Sequence, residues 1–223
     1  MGGTILKRNE LFQSSVDYVY DEIKSLIMNK KLIPGQRLPE ISIAKQLNVS
    51  RTPVREALRR LVNEGLVVLI PNGGARLASP SVQEIQDAFE LRVYLECLSA
   101  RKAVKRITPV QICMLEEQIQ AEVQVFKERD LECYLNINKT FHSIIAKASG
   151  NVILYEYITN ILSRTFVYMT FFESFFDFDS NPSLDEHRKI VEALKAGNEE
   201  NLVELMEEHI AMTEKQIKKM VQL

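Results

Sequence analysis

The sequence is short of several features that would direct the reading elsewhere. No apolar run approaches the roughly 18 residues that a membrane-spanning helix needs. The opening MGGTILKRNELF lacks the apolar centre of a secretory signal, and Leu6 stands where a myristoylation motif requires Ser or Thr. The expected location is the cytoplasm. Cysteine is scarce: Cys97, Cys113 and Cys133 are odd in number and form no CxxC pair. All three fall in helical patterns, which argues against a disulfide framework and reads as reduced, partly buried thiols. Only three histidines occur, none in an HExxH string. No internal repeat or low-complexity segment is found, and no convincing strand pattern follows Ser81.

What is present is the composition of a globular chain, 46% hydrophobic and 26% charged over 223 residues, enough for one large domain or two ordinary ones. The net charge of −2 conceals an asymmetry. Residues 1–80 hold 12 Lys and Arg against 7 Asp and Glu, a balance of +5. Residues 81–223 hold 16 against 23, a balance of −7. A basic first third on an acidic remainder implies that the first part alone meets a polyanion.

Periodicity divides the chain at the same place. Ser15 to Asn29 is an amphipathic helix with Val16, Val19, Ile23, Leu26 and Ile27 at helical spacing. Pro34-Gly35 is a turn, and a short helix runs from Glu40 to Leu47. Asn48-Val49-Ser50 interrupts it. Ser50 is the candidate cap of a helix from Thr52 to Asn63, which Gly65 ends. Leu66–Ile70 and Ala75–Ala78 flank Pro71-Asn72-Gly73-Gly74 as a hairpin. Helix, helix, turn, helix and hairpin outline a winged helix-turn-helix over residues 1–79.

Six helices with short connections account for residues 80–223. Ser81 with Glu84, and Ser183 with Glu186, have the spacing of capping boxes. Thr108-Pro109 starts a helix with proline in its first turn, Asp130 opens another that Gly150 closes, and an aromatic-rich helix runs from Val152 to Phe176. The predicted fold is mainly α: an N-terminal winged helix-turn-helix domain and a C-terminal antiparallel all-helical bundle.

The strongest chemical signal is Arg51, Arg55 and Arg59. Spaced by four, they share one face of the second helix of the helix-turn-helix. Val54, Leu58 and Leu61 point the other way, into the domain. An arginine can fork to guanine O6 and N7 in the major groove, a contact worth about 1–3 kcal/mol of discrimination. Ser50 and Thr52 at the helix start can donate to phosphates, and the glycines at 73 and 74 let a wing tip approach a groove. A solvated basic helix face is the plain alternative. The position of the ladder, in that helix and before a wing, favours double-stranded DNA as partner.

These strings carry a resemblance. Pro34-Gly35-Gln36-Arg37-Leu38, Val49-Ser50-Arg51-Thr52-Pro53-Val54-Arg55-Glu56-Ala57-Leu58 and Glu64-Gly65-Leu66-Val67 resemble the signature of the GntR family of bacterial regulators. The helical remainder resembles the FCD ligand-binding domain of its FadR-like subfamily. The resemblance implies that Arg51 and Arg55 contact operator bases, Ser50 and Thr52 the backbone, and that Gly74 lies at the wing tip. Ile41 and Gly73 stand where many relatives have Arg, which points to a base preference of its own.

His142, His187 and His209 all lie in the helical half, with Asn138 one turn before His142. Neutral imidazoles ligate Zn²⁺ or Ni²⁺, and facing helices of a bundle can bring three together. Three unrelated histidines, each satisfied locally, is the other reading of the spacing. The resemblance favours the metal: Asn138-Lys139-Thr140-Phe141-His142, Glu186-His187-Arg188 and Glu208-His209 occupy the places of the FCD metal ligands, with Asn138 in place of an Asp. It also implies that Arg92, in Glu90-Leu91-Arg92-Val93-Tyr94-Leu95-Glu96, binds an effector carboxylate, against the alternative of a surface ion pair with Glu96. Arg164 is a second effector candidate, and Phe166, Tyr168, Phe171, Phe172, Phe175 and Phe176 are core, dimer interface or pocket wall. The expected function is a homodimeric transcriptional repressor controlled by a small carboxylate at a metal site. The alternative is a metal-dependent helical hydrolase or lyase using an open coordination position.

Overall fold

The computed structural model describes residues 14–170, 181 and 183–221, with side chains as far as Ile217. The chain forms two compact units, Met1–Ala78 and Ser79–Leu223. Among the described residues it is mainly helical, with nine α-helices and one hairpin.

In the first unit, α1 (Ser15–Met28), α2 (Glu40–Gln46) and α3 (Arg51–Asn63) precede β1 (Val67–Ile70) and β2 (Gly74–Leu77). Val19, Ile23 and Ile27 of α1 are buried, as are Val54, Ala57, Leu58 and Leu61 of α3. α1 and α2 both pack on α3. Fully burying an aliphatic side chain contributes about 1.5–3 kcal/mol, so this apolar stripe fixes which face of α3 is left outward. Asn48 takes a left-handed conformation (φ 54°) between α2 and α3, a backbone region that asparagine tolerates better than most residues. β1 and β2 pair antiparallel in the register Val67↔Leu77 to Ile70↔Gly74. The segment after Pro34 does more than turn. Arg37 bridges Arg76, and Leu38 N–H donates to Ala75 O at 2.9 Å, so this stretch lies along the outer edge of β2.

The second unit comprises α4 (Val82–Ala103), α5 (Pro109–Glu128), α6 (Leu131–Ala148), α7 (Val152–Thr170), α8 (Leu184–Ala196) and α9 (Glu199–Val221). Capping boxes form at Ser81–Glu84 and at Thr108–Gln111, and the Asp130 side chain caps α6. The box expected at Ser183 does not form: Ser183 makes no side-chain cap bond. Its backbone N–H donates to Asn181 Oδ1 at 3.1 Å, while the Glu186 carboxylate is engaged 2.7 Å from His209 Nδ1. α4 packs on α9, α7 and α6, α5 on α6 and α8, and α8 on α9. Inward faces of α4, α5, α6, α8 and α9 therefore approach one region. Phe166 and Tyr168 are buried in α7, whereas Phe171, Phe172, Phe175 and Phe176 lie outside the described residues. No helix among the described residues is long and apolar enough to cross a membrane.

Candidate DNA-reading face and metal centre

Arg51, Arg55 and Arg59 emerge together on the outer face of α3, with side chains 58%, 50% and 63% exposed. Two of them share a partner. Arg55 donates from Nε to Glu40 Oε1 (3.2 Å) and from Nη2 to Oε2 (3.0 Å), and Arg51 Nη2 donates to the same Oε2 (3.2 Å). Hydrogen bonding from Arg55 holds the Glu40 carboxylate below its ordinary range. Arg59 pairs instead with Glu56, 2.8 Å away. Ser50 has the extended backbone of an N-cap, but its hydroxyl makes no cap bond, contrary to the expectation from sequence. Thr52 is exposed in the first turn.

At the wing, Gly74 has φ +74°, which disfavours any side chain, and open space where a Cβ would stand. Gly73 differs: a Cβ there would come within 2.8 Å of Ile70 Cγ2. The Arg expected at this place from relatives would force the hairpin to shift, so the glycine and the turn belong together.

In the second unit the three histidines meet. One ring nitrogen from each of His142, His187 and His209 lies within 4.8 Å of the others, and all three residues are buried. His142 Nε2 and His209 Nε2 are 3.3 Å apart. Each Nδ1 faces a glutamate: Glu96 Oε2 is 2.5 Å from that of His142, Glu122 Oε2 2.8 Å from that of His187, and Glu186 Oε2 2.7 Å from that of His209. The Glu96 contact is close but is not a hydrogen bond, and the buried His142 Nδ1 makes none. His187 Nε2 is buried with no hydrogen-bond partner. At His187 and His209 a carboxylate behind Nδ1 fixes the tautomer and leaves the Nε2 lone pair forward, the arrangement that metal-ligating histidines commonly have, whereas His142 Nε2 accepts from Arg92 Nη2 at 3.1 Å.

The electrostatics keep His142 and His209 neutral. Burial, reinforced by Arg92, outweighs Glu96 and brings His142 down to about 4. Burial and the two neighbouring imidazoles depress His209 strongly. Burial opposes ionisation of Glu96, yet Arg92 and His142 overcome it and hold that carboxylate at about 2. Burial pushes Glu186 up to about 7. Arg92 is 1% exposed, ion-paired with Glu96, with Nη2 3.1 Å from His142 Nε2 and its guanidinium over the rings of Phe89 and Phe166. The pair with Glu96 is thus formed, but in the interior rather than on the surface.

Residues 16–77 match the bacterial regulatory proteins of the gntR family, and residues 87–212 match the FCD domain. The chain belongs to the GntR family, in its FCD-containing branch. It is therefore a DNA-binding transcriptional regulator, and neither match is to an enzyme. The regulator is 28% identical over 199 residues to the HTH-type transcriptional regulator McbR of Escherichia coli strain K12, covering 87% of this chain and 90% of McbR. It is 26% identical over 196 residues to the HTH-type transcriptional repressor RspR of the same strain, covering 86% of this chain and 84% of RspR. The solved structure of E. coli McbR superposes with a TM-score of 0.67 at 26% identity, covering 92% of this chain and 99% of that one.

Of the residues singled out from the regulator's sequence, Arg51, Arg55 and Arg59 share the α3 face, and His142, His187, His209 and Arg92 cluster. Asn138 is buried one turn before His142. Arg164 is not brought to the cluster. It is exposed on α7, where its charge acts on Glu84 and Tyr168. Sequence spacing does not mark Glu40, Glu122 or Glu186 as partners of these groups, and it suggests Glu96 only as a surface partner of Arg92. Glu122 had a signal: it shares the buried stripe of Leu115, Ile119 and Val125, an acid on an apolar face.

Proposed function

We propose that this regulator is a homodimeric repressor whose operator affinity is set by a small carboxylate bound beside a divalent metal in the helical unit. The observation that carries this reading is the convergence of three buried imidazoles, each with a glutamate oxygen close to its Nδ1. His142, His187 and His209 would hold the ion through Nε2, and the Asn138 side-chain oxygen is the candidate fourth ligand. Zn²⁺ or Ni²⁺ suits three nitrogens. Such an ion supplies a Lewis-acidic position for an effector carboxylate, and the Arg92 guanidinium beside His142 adds a forked donor.

On the DNA side, Arg51, Arg55 and Arg59 enter a major groove, Ser50 and Thr52 donate to phosphates, and the Gly74 tip meets the backbone. The Ser50 hydroxyl, not spent on its own helix, suits that role. A dimer presents two such faces to a near-palindromic operator in the cytoplasm. The sign of control follows the relative named as a repressor, RspR. An effector that binds one state of the dimer more tightly than another changes operator affinity by the same free energy, typically about 1–3 kcal/mol.

Elemental analysis of the purified full-length chain tests the centre: bound Zn or Ni is expected in the wild type and lost in His142→Ala. Thermal-shift screening of small carboxylates on the metal-loaded protein should find a stabilising compound that also releases operator DNA. Metal content unchanged in His142→Ala would refute the site.

A further inference from the structure

We propose that Glu40 is a positioning residue that sets how strongly the regulator discriminates operator from other DNA. The inference rests on the reading that Arg51 and Arg55 face the bases. Two guanidinium groups one helical turn apart repel each other, and unrestrained they would each reach for the phosphates of any duplex. Glu40 prevents this from another helix, accepting from Arg55 through both Nε and Nη2 and from Arg51 through Nη2. Exposed ion pairs contribute little to stability, so stability alone is a weak reason for such a three-bond arrangement.

The geometry suits discrimination. An arginine has five N–H donors in a rigid plane. Arg55 spends its Nε–Nη2 edge on Glu40. That leaves the Nη1–Nη2 end, the pair of donors that forks to guanine O6 and N7, pointing onward. In an operator complex both arginines can keep Glu40 behind them while reading bases. On unrelated DNA they find no base partners and gain most by turning to phosphates. That turn strands the Glu40 carboxylate beside a polyanion. Glu40 therefore weakens complexes with unrelated DNA and spares the operator complex. It also subtracts one negative charge's worth of the phosphate attraction that drives sequence-independent binding.

The test uses the full-length protein and a duplex enriched by the wild type from random sequence, beside an unrelated duplex of equal length. Kd is measured for both across a salt series with wild type, Glu40→Gln, Glu40→Asp and Arg51→Ala. For Glu40→Gln the unrelated duplex should bind about tenfold tighter and the enriched one within about threefold of wild type, so the ratio falls about tenfold. Glu40→Asp, which keeps the charge, should restore most of the ratio. Should Glu40→Gln fail to fold, Glu40→Ala is read in its place. A ratio within about threefold of wild type in the neutral variant, or an equal gain on both duplexes, overturns the proposal. If Arg51→Ala binds the enriched duplex as well as wild type, the base-reading assignment itself fails, and the role of Glu40 with it.

Discussion

Glu122 Oε2 lies 2.8 Å from Nδ1 of His187, while the opposite nitrogen of that ring is buried and makes no hydrogen bond. The carboxylate is itself held by Asn181, whose Nδ2 donates to Oε1 at 2.7 Å. A buried imidazole with one nitrogen fixed and the other unused is an unsatisfied polar group, which a folded chain tolerates where something else completes it. In Glu122→Gln the single amide oxygen can accept from His187 Nδ1–H or from Asn181 Nδ2 but not from both, and the negative charge behind the ring is lost. Metal affinity should fall about 10–100-fold, as for other partners of metal-bound histidine. Competition against a chromogenic chelator measures this, and an unchanged affinity would remove Glu122 from the centre.

Arg92 and Glu96 form an ion pair with both side chains almost wholly buried. Removing one partner of such a pair leaves an uncompensated charge and costs about 3–5 kcal/mol. Arg92→Ala should lose stability on that scale in urea titration. The double replacement Arg92→Leu with Glu96→Leu should recover most of it, because apolar residues need no partner there. Equal losses in the single and double variants would show that packing, not charge, is what Arg92 contributes.

Acid should destabilise the second unit in two steps. His142 and His209 are depressed when folded, so between about pH 6.5 and pH 4 the unfolded chain binds more protons at these sites and stability falls with falling pH. Glu186, raised to about 7, opposes this, binding a proton in the folded state from about pH 7 down to the ordinary glutamate range. Two sites against one leave a net loss below about pH 6.5. Glu96 and Glu122 are lowered, so their contribution is present above the unfolded glutamate value and is lost below it, which steepens the fall. Unfolding midpoints of the full-length chain in chelator-treated buffer across pH 4–7.5 provide the check. Constant midpoints from pH 7 to pH 5 would contradict the neutral-imidazole assignment.

The elements were legible because local signals agreed. Val19, Ile23 and Ile27 mark α1 by period, Ser81 and Thr108 start α4 and α5 by capping, and Gly65 and Gly197 follow helix ends. The histidines were found because there are only three. Their glutamates are harder to read, because Glu122 is 65 residues from His187 and its place on the apolar stripe of α5 marks it as buried without naming its partner. Glu40 stands 11 and 15 residues before its arginines, across a turn whose geometry brings the groups together. Ser183 shows the converse: its spacing from Glu186 matches a capping box, but the carboxylate has a buried imidazole to hold instead. Spacing reports which residues share a face. It does not report which of two partners a side chain will choose.

The outward guanidinium ladder of α3 is tested most directly by fluorescence anisotropy with a labelled duplex enriched by the full-length wild-type protein. Arg51→Ala should lose sequence preference, with affinity for the enriched duplex falling by about 1–3 kcal/mol toward that for unrelated DNA, while its circular dichroism and melting stay those of the wild type. A folded Arg51→Ala protein that still selects the enriched duplex at wild-type affinity would contradict the account.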